Sequence, residues 1–385
     1  MKIQHKETAL KKDLSIEGLR GFAALLVVLN HLPFASMGIG FKWIGQFGLS
    51  KFALMCAGNS GSFGVELFFC ITGYLFWKKV AISGRVTDWS RFYVNRVCRL
   101  VPAYFLFAAI VLISVGFITG WERKILTSEL LHQIFALFTF GFDGQQTING
   151  VDTTYFTATI WTLAYEWQFY ILLPLLVAFR GNRFLLWSGI VALIAFVFAY
   201  NNAYYRLLFF FTGAAIAESS RARSKQSTLG TVVFLALAAL YIALPHRQMV
   251  LWLWKLTDSA AIGNISGALL SWIVTSATFA SVIYLNPKVL FSRVMVGLGT
   301  ISYSLYLLHL LVLQGTIRFG NAVSPVGTWG PKRFALWAVL ATAASIAIAV
   351  CSYYGVEKPF LARKRPEREG GALQEHPAHA GINRS

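Results

Sequence analysis

Ser15 to His31, SIEGLRGFAALLVVLNH, is an apolar stretch that carries an arginine near one end and a histidine at the other. As an α-helix it places Arg20 and His31 eleven residues apart, about three turns and ~16.5 Å of rise, so both side chains share one face at different depths. If the helix crosses a membrane, a cation stands near one surface and a titratable base lies well inside. An ionisable side chain within a span costs roughly 2.5–3.5 kcal/mol on insertion scales and is retained mainly where it faces a cavity and has a task. The competing reading is a histidine satisfied by a neighbouring helix.

The rest of the chain supports the membrane reading. Of 385 residues 56% are hydrophobic and only 13% charged, too apolar a balance for a water-soluble domain. The 34 Lys and Arg against 16 Asp and Glu, a formal charge of +18, do not call for nucleic acid, because the basic residues cluster beside apolar runs where they set topology. Cys56, Cys70, Cys98 and Cys351 have neither metal-ligand spacing nor the pattern of a disulfide framework, and no metal site is expected. The charged lead before residue 15 is long and the first run carries Arg20, Asn30 and His31, unlike the plain apolar core of a signal peptide, so cleavage is not expected.

Ten spans are expected, at residues 17–33, 62–77, 100–119, 160–179, 184–200, 204–217, 229–244, 262–285, 294–316 and 334–354. With both termini cytoplasmic, most lysines and arginines fall on the inner side, as the positive-inside bias requires. The apolar run 125–142 is then a re-entrant or interfacial element, because a full crossing would invert everything downstream. The fold class is all-α: residues 1–14 a cytoplasmic segment, 15–360 a polytopic bundle, and 361–385, rich in Gly, Pro, His and charge, a disordered cytoplasmic tail.

Placed on that topology, His31 in the first span, Glu166 in the fourth and His309 in the ninth fall at similar depth, each about 9–10 Å or less from the outer edge of a ~30 Å core. Glu66 lies near the outer start of the second span. A shared cavity is expected, in which a carboxylate beside an imidazole raises its basicity for taking a proton from an alcohol. Glu66 as an interfacial carboxylate, and Glu166 as a structural partner of a buried His or Tyr, stand as alternatives. On the cytoplasmic side, RFYVNRVCRLVP puts Arg91, Arg96 and Arg99 on a helical segment ending at Pro102. Guanidinium forks suit phosphate oxygens, although such a row also serves as a topological stop signal that holds lipid head groups. Tyr303 and Tyr306 precede His309 at spacings that let them orient its ring, and Trp43, Trp77, Trp121 and Trp161 have the positions of interfacial anchors.

These blocks together resemble the acyltransferase 3 family of integral membrane acyltransferases. GLRGFAALLVVLNH resembles the family's opening helix, GVELFFCITGYLFWKK its second, RFYVNRVCRLVPAY its arginine segment and IWTLAYEWQFYILLPL its Trp-x-Leu-x-x-Glu helix. LGTISYSLYLLH and VEKPF are similar to the late histidine helix and the closing signature, and Asn95 departs from the arginine that many members carry there. The resemblance implies acyl transfer, commonly acetyl from acetyl-CoA, to a hydroxyl of a sugar, lipid-linked glycan or surface polysaccharide such as lipopolysaccharide, in the bacterial inner membrane. The expected roles are then donor binding by Arg91, Arg96, Arg99 and Arg20, and general base catalysis by His31 supported by Glu66 or Glu166. Acetyl-CoA is expected as a donor substrate, with no permanently bound cofactor. Direct transfer is the default scheme, and relay through an acyl-enzyme at His31 or His309 the alternative. The rival class is a proton-coupled transporter or flippase, which has no ready use for the arginine row.

Overall fold

The computed structural model describes residues 13–36, 50–82, 88–144, 146–182, 184, 188–189, 205–220, 225–245, 255–256 and 260–362. The expected span at 184–200, both terminal segments and Trp43 lie almost wholly outside them. The described architecture is helical, with one two-residue antiparallel hairpin, Thr147–Ile148 (β1) against Val151–Asp152 (β2), on a connection.

The helices are α1 Leu14–His31, α2 Lys51–Trp77, α3 Trp89–Thr119, α4 Thr127–Leu137, the single turn α5 Thr154–Thr157, α6 Trp161–Phe179 and α7 Leu207–Ser219. There follow α8 Thr228–Ala243, α9 Ala260–Leu285, α10 Arg293–Thr300, α11 Ser302–Val323 and α12 Pro331–Ser352. Side-chain caps fix several starts: Asp13, Ser50, Asp88, Ser227 and Ser292 each accept from a backbone N–H in the first turn. Among the described residues six helices are long and apolar enough to cross a membrane, seven if α10 and α11 count as one broken span. The protein is thus a multi-pass helical membrane bundle.

Four expectations change in the structure. The ninth span is not one helix, because α10 and α11 meet at a bend of 78° around Ile301. The second begins at Lys51 rather than at residue 62, so residues 51–61 belong to the helix. The arginine segment does not stop at Pro102 but forms the first turns of the 31-residue α3, since a proline within a packed membrane helix costs one backbone bond that neighbours can offset. Helices α7 and α8, of 13 and 16 residues, rise only about 19.5 and 24 Å, short of a ~30 Å core. The run 125–142 folds as the 11-residue α4 followed by a turn with left-handed Phe140 and Gly141, too short by itself to cross.

Aromatic side chains of α2, α3, α6 and α7 fill the largest core, with Phe69 stacked on Phe210 and Phe210 on Phe169. Small residues allow that approach, as lipid-solvated helices require because burial from water does not drive them together. Gly73 of α2 and Gly213 of α7 meet reciprocally: a Cβ on Gly73 would lie 1.9 Å from the Phe210 carbonyl oxygen, and one on Gly213 2.0 Å from that of Cys70. At the other end of the chain, Glu357, in the π-helical turn Tyr353–Glu357 after α12, is buried and accepts a hydrogen bond from Ser304 of α11, beside Ser352. That contact ties the bent span to the last helix.

Gly73→Ala should therefore lower the thermal midpoint of the detergent-purified protein, by an overpacking cost of about 1–3 kcal/mol. Gly315→Ala, where an added Cβ meets nothing within 4 Å, should leave it unchanged or slightly raised.

Candidate active site

Two cavities follow one another through the bundle. The first, with about 690 Å³ of empty space, is lined by Arg20, Arg96, Arg99, Glu166, Tyr170, Ser302 and Tyr303, with Phe69, Thr72 and Phe76. The second, with about 620 Å³, is lined by His31, Asn30, Ser62, Glu66, Thr159, Trp161 and Arg206. Four helices line both. Helix α1 passes from Arg20 to His31 and α11 from Ser302 to Tyr306 in the same sense, while α2 and α6 run from the second cavity to the first. The eleven residues between Arg20 and His31 make the separation about 16.5 Å along the helix.

At the second cavity two imidazoles meet. His309 Nε2 lies 3.1 Å from His31 Nδ1, with ring centroids 5.0 Å apart. The carbonyl of Leu305 lies 3.0 Å from His309 Nδ1 and that of Val27 lies 2.8 Å from His31 Nδ1. A carbonyl only accepts, so both Nδ1 atoms carry hydrogen and the fully buried His309 presents its Nε2 lone pair to His31. The His31 N–H is shared between Val27 O and His309 Nε2. His31 Nε2 is left as the unprotonated nitrogen on a side chain that lines the cavity.

Glu66 is in this cavity but already accepts from Tyr241 (3.0 Å) and Thr275 (2.7 Å), which hold both of its oxygens. Glu166 is not in it. It faces Arg20, Arg96 and Arg99 in the first cavity and accepts a hydrogen bond from Tyr170, so the expectation of one cavity shared by His31, His309 and Glu166 is corrected. Depth counted along separate helices assumes how they stand against one another: on α6 Trp161 lines the second cavity, and five residues on, about 7.5 Å along the axis, Glu166 is already in the first. Arg91 is exposed and lies outside both, leaving Arg96 and Arg99 with Arg20. Arg96 packs 4.6 Å over the Phe76 ring, and its buried Nε has no hydrogen-bond partner among the described residues.

Tyr306 meets His309 ring to ring at 6.3 Å but does not bond it through its hydroxyl. Its hydroxyl is 2.8 Å from that of Thr162 and donates to the Thr159 carbonyl (3.1 Å), while Tyr303 donates to Leu100 O. Sequence reasoning missed Arg206, whose guanidinium lies 4.6 Å over Trp161 in the His31 cavity. Its signal is one cation at the edge of an apolar run. Trp161, expected only as an interfacial anchor, lines that cavity too. Among the described residues no group of three His, Cys, Asp or Glu is placed to hold a metal ion.

An arginine-lined chamber thus backs onto one lined by an unprotonated imidazole, inside a membrane bundle. Comparison with known proteins gives the class. The acyltransferase 3 family model, described as an acyltransferase domain, matches residues 13–354, and the chain belongs to that family of acyltransferases. It is 26% identical over 336 residues to ORF330 of Acidianus two-tailed virus, covering 81% of this chain and 86% of the relative. It is 22% identical over 384 residues to the peptidoglycan O-acetyltransferase OatA of Listeria monocytogenes, covering 90% of this chain and 55% of that one. With the O-acetyltransferase OatA of Staphylococcus aureus it shares 24% over 329 residues, 76% and 49% of the two. The chain thus spans about half the length of the OatA relatives. No solved structure matches it.

The imidazole contact should register as coupling. In a double-mutant cycle of His31→Ala and His309→Ala, thermal unfolding in detergent should give an interaction term of roughly 0.6–1.7 kcal/mol, the range of interhelical hydrogen bonds in membranes.

Proposed function

We propose that this protein is a membrane O-acetyltransferase that moves an acetyl group from cytoplasmic acetyl-CoA to a hydroxyl of a sugar, lipid-linked glycan or surface polysaccharide. The observation that carries this reading is the free Nε2 of His31 in a cavity that backs onto three guanidinium groups. Phosphates of the donor dock on Arg96 and Arg99, with Arg20 guiding the thioester arm and Arg91, exposed on the same helix, adding charge to the approach. Partial burial of both side chains strengthens those contacts, and the Arg96 Nε–H, without a partner among the described residues, offers a donor. Glu166 sits among these cations and holds them in place through charge, a positioning role rather than that of a base.

In the transfer step His31 Nε2 takes the proton of the acceptor hydroxyl as its oxygen bonds to the thioester carbonyl carbon. The carbon–sulfur bond breaks, and coenzyme A leaves as a thiolate that collects a proton, restoring the neutral imidazole. His309 holds His31 in the required tautomer through the Nδ1 contact. Glu66, Arg206 and Trp161 line the chamber where the acceptor binds. The name of the Listeria relative, a peptidoglycan O-acetyltransferase, supports a cell-envelope glycan as acceptor; on this reading the protein lies in the bacterial inner membrane with both termini cytoplasmic, the orientation that the positive-inside bias favours.

Radiolabelled acetyl-CoA added to inverted membrane vesicles of the source strain tests this. Label should enter the glycan fraction, and His31→Ala should reduce the rate at least about hundredfold. Label trapped on the protein without acceptor would replace direct transfer by the relayed scheme, and translocation of unmodified substrate with no CoA released would mark a transporter. Arg96→Ala and Arg99→Ala should each raise KM for acetyl-CoA about tenfold to hundredfold with a smaller effect on kcat, as expected for a lost charge-assisted contact of about 1.5–3 kcal/mol.

A further inference from the structure

Among the described residues only Val65 and Tyr306 line both cavities. They form the partition between the donor chamber and the His31 chamber, and it is a stiff one. The Tyr306 hydroxyl is held by Thr162 (2.8 Å) and the Thr159 carbonyl (3.1 Å), its ring meets Phe68 edge-on at 5.9 Å, and both Tyr306 and Val65 are 8% exposed. Val65, branched at Cβ within a helix, has essentially one rotamer open to it.

Resting on the transfer reading above, we infer that Val65 and Tyr306 are the specificity-determining residues for the acyl group, an aperture that admits a two-carbon chain and rejects longer ones. The leaving sulfur lies on the arginine side and the attacking oxygen on the His31 side, so the carbonyl carbon stands in the partition when the bond forms. The alkyl remainder of the acyl group then has only the space between these two side chains. A rigid apolar slot discriminates by roughly 10–200-fold for each methylene it cannot hold. Truncating Val65 to alanine removes two methyl groups from the rim and leaves the tyrosine hydrogen bonds intact.

The test compares acetyl-CoA with butyryl-CoA in the same vesicles, reading the ratio of their kcat/KM values into the glycan fraction. That ratio cancels the amount of folded enzyme. Wild type should favour acetyl by at least tenfold, and Val65→Ala should shift the ratio toward butyryl by at least tenfold. Tyr306→Phe, which keeps the ring but frees it from Thr162 and Thr159, should shift it the same way by threefold or more and serves where Val65→Ala yields no folded protein. Val111→Ala, a buried valine outside both cavities, controls for general loosening. An active enzyme that takes butyryl as readily as acetyl, a ratio unmoved in the aperture variants, or an equal shift in Val111→Ala overturns the inference alone. Absence of transfer from either donor overturns the acyltransfer reading with it.

Discussion

A hydrogen bond between two imidazoles 278 residues apart in sequence is the contact on which the site depends. In an apolar surround each polar atom needs a partner, and backbone carbonyls of α1 and α11 take both Nδ1 protons. The arrangement leaves the Nε2 lone pair of His31 without a partner among the described residues, on a side chain that lines the second chamber. Helix geometry does the rest: the same α1 that ends in His31 carries Arg20 three turns earlier, so one rigid rod measures the distance between the two chambers.

The two chambers also divide the electrostatics. Three guanidiniums and one carboxylate share the first, while the second holds a carboxylate satisfied by Tyr241 and Thr275 together with Arg206. Val65 and Tyr306, which line both chambers, stand between the Glu166 carboxylate and the His31 imidazole. Stacking of the chambers follows from the antiparallel runs of α1 and α11 against α2 and α6.

Much of this was legible in the chain. The Arg20 to His31 spacing and the period of Arg96 and Arg99 are local, and a helix converts them directly into position. Glu166 was misplaced because hydropathy does not fix where α6 stands along the bilayer normal relative to α1: Trp161, not Glu166, lines the cavity of His31. The break at Ile301 escaped notice because no proline marks it, only the glycines of VGLGT. Arg206, Val65 and Tyr306 acquire meaning only once separate helices are brought together. Tyr306 in particular has the spacing to serve His309 yet gives its hydroxyl to Thr159 and Thr162.

The grip of Glu357 on Ser304 has a bearing on biogenesis. The two residues are 53 positions apart, and Ser304 lies one turn before the segment that presents His309. During synthesis that segment is made before the carboxylate that its serine meets, which the ribosome delivers only with the closing turn. A nascent or clipped polypeptide ending before that turn carries Arg20, Arg96, Arg99 and both histidines, yet lacks this tie between the bent span and the end of the bundle, which is among the last contacts that translation can supply.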